Sequence, residues 1–298
     1  MHVIHAFAPA KLNLYLHITG RRADGYHDLD SLVAFASVGD HIRLERAESF
    51  AFALEGPQAA ALAREDFSGN LIVAAARSLA ELTGRVLNVK ITLVKNLPVA
   101  SGIGGGSSDA AAVLRALAGY WAMAPQDPQI FEAARRHGQD VPVCLMTENN
   151  YITTLGTAPA PVLPHVDCVL VNPGQALPTP AVYKSYRDNG DPFSPCAQFG
   201  EAPRSLASFV EMLLARRNDL YDPACRLLPT IGDVIEALEA SGSLLARMSG
   251  SGATCFGFYP DRSAARAAAA ALLAAHPSWW VAPAYIPYKH REAEPFAG

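Results

Sequence analysis

Apolar and polar residues alternate through Leu12, Leu14, Leu16 and Ile18, the period of a strand with one face on a core. Lys11 and Asn13 fall on the opposite face of that strand. His2 to Phe7 predicts a short strand before it. Leu32 to Ala36 and His41 to Glu45 predict two more around Gly39-Asp40, Phe50 to Leu54 another, and Leu87 to Leu93 alternates with period two. Helices are announced by their ends. Asn70 can cap a helix that runs to about Thr83 and closes at Gly84. Asp127-Pro128, an N-cap followed by proline at the first helical position, opens another that runs to about His137. Pattern lapses in the Pro-rich stretch Ala158–His165, so a boundary is placed there, dividing the chain into 1–158 and 159–298. Beyond it come a strand from Cys168 to Val171 and helices over Val182–Tyr186, Leu206–Ala215, Ile231–Ala240 and Arg262–Ala275. Trp279 to Ile286 closes the series as a strand. Positions 188–203 carry no period and are expected to be irregular, either mobile or bound to the surface.

Between the strand ending at Leu93 and a strongly helical run, Ala110 to Leu117, lies Pro98-Val99-Ala100-Ser101-Gly102-Ile103-Gly104-Gly105-Gly106-Ser107-Ser108-Asp109. Glycines without Cβ atoms let backbone amides turn toward one anion, and a helix N-terminus adds the positive end of its dipole. Ser107, Ser108 or Asp109 is the expected N-cap. The pattern predicts a phosphate cradle. It lacks the Gly-Lys-Ser/Thr of the P-loop, and serine stands where the dinucleotide fingerprint has its third glycine. A second glycine turn, Met248 to Ala253, leads into another strand.

Half of the 298 residues are hydrophobic, 17% are charged and the formal net charge is −4. That balance suits a packed globular chain and gives no basic face for nucleic acid. An anionic ligand must be held by local groups. No run of 18 apolar residues suggests a membrane span, and no leader pattern opens the chain. The five cysteines are scattered without Cys-x-x-Cys, as expected of reduced thiols in a cytoplasmic protein. The nine histidines show no metal spacing, so no metal-ligand set is assigned. Locally, Lys11 reads as a solvated lysine and Asp140 as a surface-turn aspartate.

Three stretches together, Pro9-Ala10-Lys11-Leu12-Asn13, Pro98 through Ala112, and Met248-Ser249-Gly250-Ser251-Gly252-Ala253, resemble the superfamily of galactokinase, homoserine kinase, mevalonate kinase and phosphomevalonate kinase. Ile18 through His27, Asp140-Val141-Pro142 and Pro178-Thr179-Pro180 are most similar to its 4-diphosphocytidyl-2-C-methyl-D-erythritol kinase branch. The resemblance implies an α+β fold of two domains, an N-terminal mixed sheet with helices and a C-terminal ferredoxin-like α/β sandwich, with the active site between them. It implies an ATP- and Mg²⁺-dependent kinase of the non-mevalonate isoprenoid pathway. Its partner is a small-molecule cytidine-diphosphate substrate, and neither nucleic acid nor membrane. A monomer or weak homodimer is expected. Carried onto this sequence, the catalytic positions are Lys11 and Asp140. The ATP positions are Pro98, Val99, Ala100, Ser101, Gly102, Ile103, Gly104, Gly105, Gly106, Ser107 and Ser108, with Asn70 and Lys95 at the adenine end. Asn13, Tyr26, His27 and Thr179 fall on the acceptor side. Val99-Ala100-Ser101 and Gln139 depart from the family's usual residues, and neither change removes a reacting group. Two alternatives are another kinase of the superfamily, homoserine- or mevalonate-like, and a nucleotide-binding module without catalysis. The loop Arg22 to His27 speaks against the first, and the presence of both Lys11 and Asp140 against the second.

Overall fold

A computed structural model of the chain describes residues 3–62, 69–153, 156–160, 162–197 and 202–287. His2 and positions 198–201 of the expected irregular run lie outside these.

Two long antiparallel strands, β1 (Ile4–Arg21) and β2 (His27–Arg46), form the frame. β1 fuses the predicted strands at 2–7 and 12–18, and β2 fuses those at 32–36 and 41–45. Fusion is possible because Gly39 sits opposite Pro9, where a Cβ would lie 2.2 Å from the Ala8 carbonyl oxygen. Glycine inside a strand marks such a close backbone approach. After β3 (Ala51–Glu55) come α1 (Ala59–Leu62), α2 (Leu71–Thr83), β4 (Val89–Val94) and α3 (Gly105–Tyr120). Then follow α4 (Pro128–Arg135), α5 (Asp140–Met146), β5 (Asn150–Thr153) and β6 (Gly156–Pro159). The six strands make one mixed sheet, ordered β3-β4-β2-β5-β6 with β1 paired to β2, and only the β3–β4 pair is parallel.

The second sheet is antiparallel, ordered β10-β7-β9-β8. It is built from β7 (Val166–Asn172), β8 (Leu245–Met248), β9 (Cys255–Tyr259) and β10 (Trp280–Ile286). Its helices are α6 (Thr179–Asp188), α7 (Leu206–Leu214), α8 (Tyr221–Leu227), α9 (Thr230–Ala240) and α10 (Arg262–Ala275). α9 and α10 pack on this sheet. Among the described residues no helix is long and apolar enough to cross a membrane.

Three apolar clusters hold the described residues together. Ile91 and Leu93 of β4 pack with Leu79 of α2 and Leu114 and Leu117 of α3. Leu12 and Leu14 of β1 pack with Leu170, Phe256 and Phe258 of the second sheet. Val171, Val234, Leu238 and Leu272 form the third. β1 is therefore buried on both faces, including Lys11 and Asn13 on its polar side. That corrects the local expectation of a half-buried strand carrying a solvated lysine.

The predicted caps of two helices are present. The Asn70 side chain accepts from the Ile72 N–H at 3.0 Å, Gly84 closes α2 at φ 65°, and Asp127 accepts from the Gln129 N–H at 2.9 Å. Part of the irregular run is tied to β1 and β2: the Ser194 N–H donates to the Ile18 carbonyl at 2.8 Å, and the Ala197 N–H to the Asp30 carboxylate.

Candidate active site

The glycine loop leaves β4 and is fixed by backbone contacts from two sides. The Lys11 N–H donates to the Ile103 carbonyl at 2.9 Å, and the Thr254 N–H to the Ser101 carbonyl at 3.0 Å. The Ser249 hydroxyl donates to the Gly102 carbonyl and accepts from the Asn13 N–H, both at 3.1 Å. The second glycine turn therefore holds the first one in place.

The cap of α3 differs from expectation. Gly104, at φ 64°, is the N-cap, and no side chain caps the helix. Ser108 is instead buried and donates to the Pro9 carbonyl at 2.7 Å. Asp109 turns to Lys95, 2.8 Å away. Because no side chain competes for them, the first amides of α3 are left for a ligand, the arrangement by which helix N-termini take up phosphate. Gly104 is required twice over. Its φ is left-handed, and a Cβ would lie 3.1 Å from both Cβ and Cε of Lys11, which passes beneath it.

Lys11 and Asp140, 129 positions apart, meet with Nζ 2.9 Å from Oδ2. The lysine side chain is 5% exposed and the aspartate 43%, so the carboxylate opens widely to the cavity while the lysine reaches its wall with little exposure. Burial pulls the Lys11 pKa down, but the Asp140 carboxylate, joined by Cys144, outweighs it, and the net direction is upward. Lys11 is therefore a fixed positive charge at neutral pH. Asp140 begins α5, which corrects its placement in a surface turn.

Lys95 lies deeper. Its Nζ is 2.5 Å from Asp40 and 2.8 Å from Asp109, in a triad whose side chains are all at most 3% exposed. Asp40 also accepts the Asn96 and Leu97 N–H groups at 2.5 and 2.8 Å. Burial pushes the Asp109 carboxyl up to about 8, against the pull of Lys95, while the two carboxylates hold Lys95 above its ordinary value despite burial. A Cβ on Gly105 would sit 3.1 Å from this ammonium, so the triad underlies the start of α3.

These groups line one cleft of about 520 Å³, in the size range of small-molecule sites. Of the sequence-predicted positions, Lys11, Asn13, Asn70, Lys95, Asp140 and Thr179 line it. So do Pro98 through Gly102 and Gly104 through Ser107, whereas Ile103 and Ser108 do not. Thr179 Oγ1 is 2.7 Å from Ser251 Oγ, which closes the rim from the second sheet. Tyr26 is 63% exposed and outside the lining. His27 is also outside it, but stacks on Tyr183 of α6 with ring centroids 5.1 Å apart and meets Tyr186 edge-on at 6.0 Å. Burial, then Arg21 and Arg187, lower the His27 pKa, which keeps the imidazole neutral at pH 7.

Sequence reasoning passed over Tyr183, Asp40 and the Ser249 hydroxyl. Tyr183 falls in an ordinary amphipathic helix. Asp40 gave one faint signal, a Gly-Asp pair inside strand-forming sequence.

Residues 70–148 match the GHMP kinases N terminal domain and residues 205–278 the GHMP kinases C terminal region. The chain is 47% identical over 282 residues to the 4-diphosphocytidyl-2-C-methyl-D-erythritol kinase of Paramagnetospirillum magneticum, covering 94% of this chain and 97% of that one. It is 48% identical over 276 residues to the enzyme of the same name from Rhodospirillum rubrum, covering 92% and 89%. A crystal structure of 4-(cytidine 5'-diphospho)-2C-methyl-D-erythritol kinase superposes with a TM-score of 0.76 at 34% identity, covering 95% of this chain and all of that one. A homoserine kinase from Cytophaga hutchinsonii shares the fold, with a TM-score of 0.71 at 16% identity over 98% of this chain and 96% of that one.

Proposed function

The chain belongs to the GHMP kinases and, among them, to the 4-diphosphocytidyl-2-C-methyl-D-erythritol kinases; on that footing we propose that Asp140 accepts the proton of the acceptor hydroxyl and that Lys11 holds it in place. The reaction moves the γ-phosphoryl group of ATP to the 2-hydroxyl of 4-diphosphocytidyl-2-C-methyl-D-erythritol, a step toward isoprenoid precursors. The observation that carries the assignment is the 2.9 Å contact between Lys11 and Asp140 on the wall of the cleft that also holds the glycine loop.

Phosphoryl transfer asks a protein mainly for positioning and charge stabilisation. The uncapped amides at the start of α3 receive the phosphates. The buried Lys11 ammonium offsets charge on the transferring group and fixes the carboxylate beside the attacking oxygen. A carboxylate is a weak base for an alcohol. In a loose transition state the proton leaves late, so a well-placed weak base is enough. Asn70 and the base of the loop near Lys95 take the adenosine end. Asn13 and Thr179 border the methylerythritol moiety. Tyr26 and His27 take the cytosine, the ring of His27 being already presented on Tyr183.

Kinases of this kind use Mg²⁺, and the donor set suits it. Among the described residues no three acidic, histidine or cysteine side chains converge; Asp40 and one oxygen of Asp109 pair with Lys95, while the other Asp109 oxygen, on the cleft wall, is buried with no hydrogen-bond partner. Mg²⁺ asks for little more, because it keeps several waters and takes phosphate oxygens. The Ser107 hydroxyl, on the lining at the start of α3, would hold it beside the phosphates. When bound, the ion neutralises charge on the β- and γ-phosphates.

Two substitutions test the assignment in steady-state assays. Asp140→Asn is expected to lower kcat by roughly 10²–10⁴, the range for a lost general base, with the ATP KM little changed. His27→Ala is expected to raise the KM of the cytidine substrate and leave that of ATP within twofold. Equal rises in both KM values would refute the placement of the cytosine.

A further inference from the structure

Arg115 is a partly buried cation on α3, with no carboxylate within ion-pair distance among the described residues. Its partners are three backbone carbonyls. Nη1 donates to Cys144 at 2.9 Å and to Leu145 at 3.4 Å, and Nη2 donates to Phe7 at 2.8 Å. Desolvation lowers the guanidinium to about 10, so it remains charged at neutral pH.

The identity of those carbonyls is informative. Cys144 and Leu145 belong to the last turn of α5, the two-turn helix whose first residue is Asp140. The last carbonyls of a helix lack intrahelical partners and carry the negative end of the dipole, so a cation there both satisfies and attracts them. Phe7 lies on β1 four residues before Lys11, just ahead of the register shift between Pro9 and Lys11. Seven positions earlier on α3, and so on the same face two turns away, Ser108 donates to the Pro9 carbonyl. α3 thus grips β1 on the approach to Lys11 with two side chains, and with one of them also grips the helix that carries Asp140. The planar fork of arginine suits this, because its donors stand at fixed angles and lose little freedom when all are engaged.

We infer that Arg115 is a positioning residue for phosphoryl transfer, whose guanidinium fixes the separation of Lys11 and Asp140 by clamping the strand and the helix that bear them to the helix at the phosphate loop. The inference rests on the reading of Lys11 and Asp140 as the reacting pair. A rigid clamp matters because a displacement of about 1 Å can cost on the order of 10²-fold in rate.

The test is a double-mutant cycle in kcat, with each rate divided by the concentration of ATP-binding sites measured by calorimetry. Arg115→Met in the native background is expected to lower kcat per site by about 10–100-fold, with both KM values within twofold. In the Asp140→Asn background the same change is expected to lower it by less than twofold, because the positioned group is already gone. Arg115→Lys, which keeps a donor and the charge, should recover at least a third of the native rate. An unchanged kcat per site, or equal losses in the two backgrounds, overturns the role. If Arg115→Met does not fold, Arg115→Gln, which is too short to reach both the strand and the helix carbonyls, is carried through the same cycle and read by the same criterion. The underlying reading fails separately: native turnover in Asp140→Asn alone removes it whatever Arg115 does.

Discussion

Lys95 lies between two carboxyl groups with almost no access to water, and removing it takes the cation from both while they stay buried. Breaking a buried ion pair from one side costs about 3–5 kcal/mol. We expect Lys95→Met to lower the unfolding free energy by that much in a denaturant titration. Adding Asp109→Asn should recover part of the loss, since two carboxyl groups no longer face each other across the vacated position. His27 sets a pH dependence. Its pKa in the folded chain lies below the ordinary 6.5, so the folded state binds fewer protons there than the unfolded one. Stability is therefore full above about pH 6.5 and falls as the pH drops below it. His27→Gln is expected to flatten that decline between pH 6.5 and 5, read from denaturant midpoints. At this scale the sequence disclosed the types of the site residues but not their pairing. Lys11 and Asp140 looked solvated because a contact between positions 129 apart leaves no local period. Only the short motifs around them brought the two together, and Asp40 had no motif around it.

Among the elements, α3 decides most, because its first turn is the phosphate cradle and its later turns grip β1 and α5. Gly104 sets where it begins. Gly104→Ala forces a left-handed φ on a residue with a Cβ and pushes that Cβ toward Lys11. We expect a loss of roughly 1–2 kcal/mol in stability together with a fall in kcat larger than that of a stability-matched substitution in α10. Helices with strong ends, α2 and α4, were legible from Asn70, Gly84 and Asp127-Pro128, since capping is a local event. The start of α3 was misjudged for a physical reason. Ser107, Ser108 and Asp109 all have good capping chemistry, but Ser108 and Asp109 are recruited by Pro9 and Lys95. Four-residue strands such as β5 and β6 are too short to carry a period and escaped notice. The breaks expected in β1 and β2 were absent because bulges and one glycine absorb them.

Across the whole molecule, β1 joins the two sheets: its apolar face enters a core shared with β7 and β9, and its polar face lines the cleft. The alternation of Leu12, Leu14, Leu16 and Ile18 revealed the strand but could not reveal that both its faces are covered, since that depends on the partner sheet. The same geometry brings the glycine loop, the second glycine turn and the acid of α5 to one opening, through contacts such as that of Ser249 with both Asn13 and Gly102. Proton acceptance by Asp140 is the step on which this joint arrangement depends. It is tested most directly by the single-turnover rate of phosphoryl transfer, measured by rapid quench with ATP and the cytidine substrate both saturating, in the native chain and in Asp140→Asn. We expect the transfer step itself to slow by roughly 10²–10⁴ with ATP still bound stoichiometrically; an unchanged transfer rate in Asp140→Asn would contradict the role assigned to it.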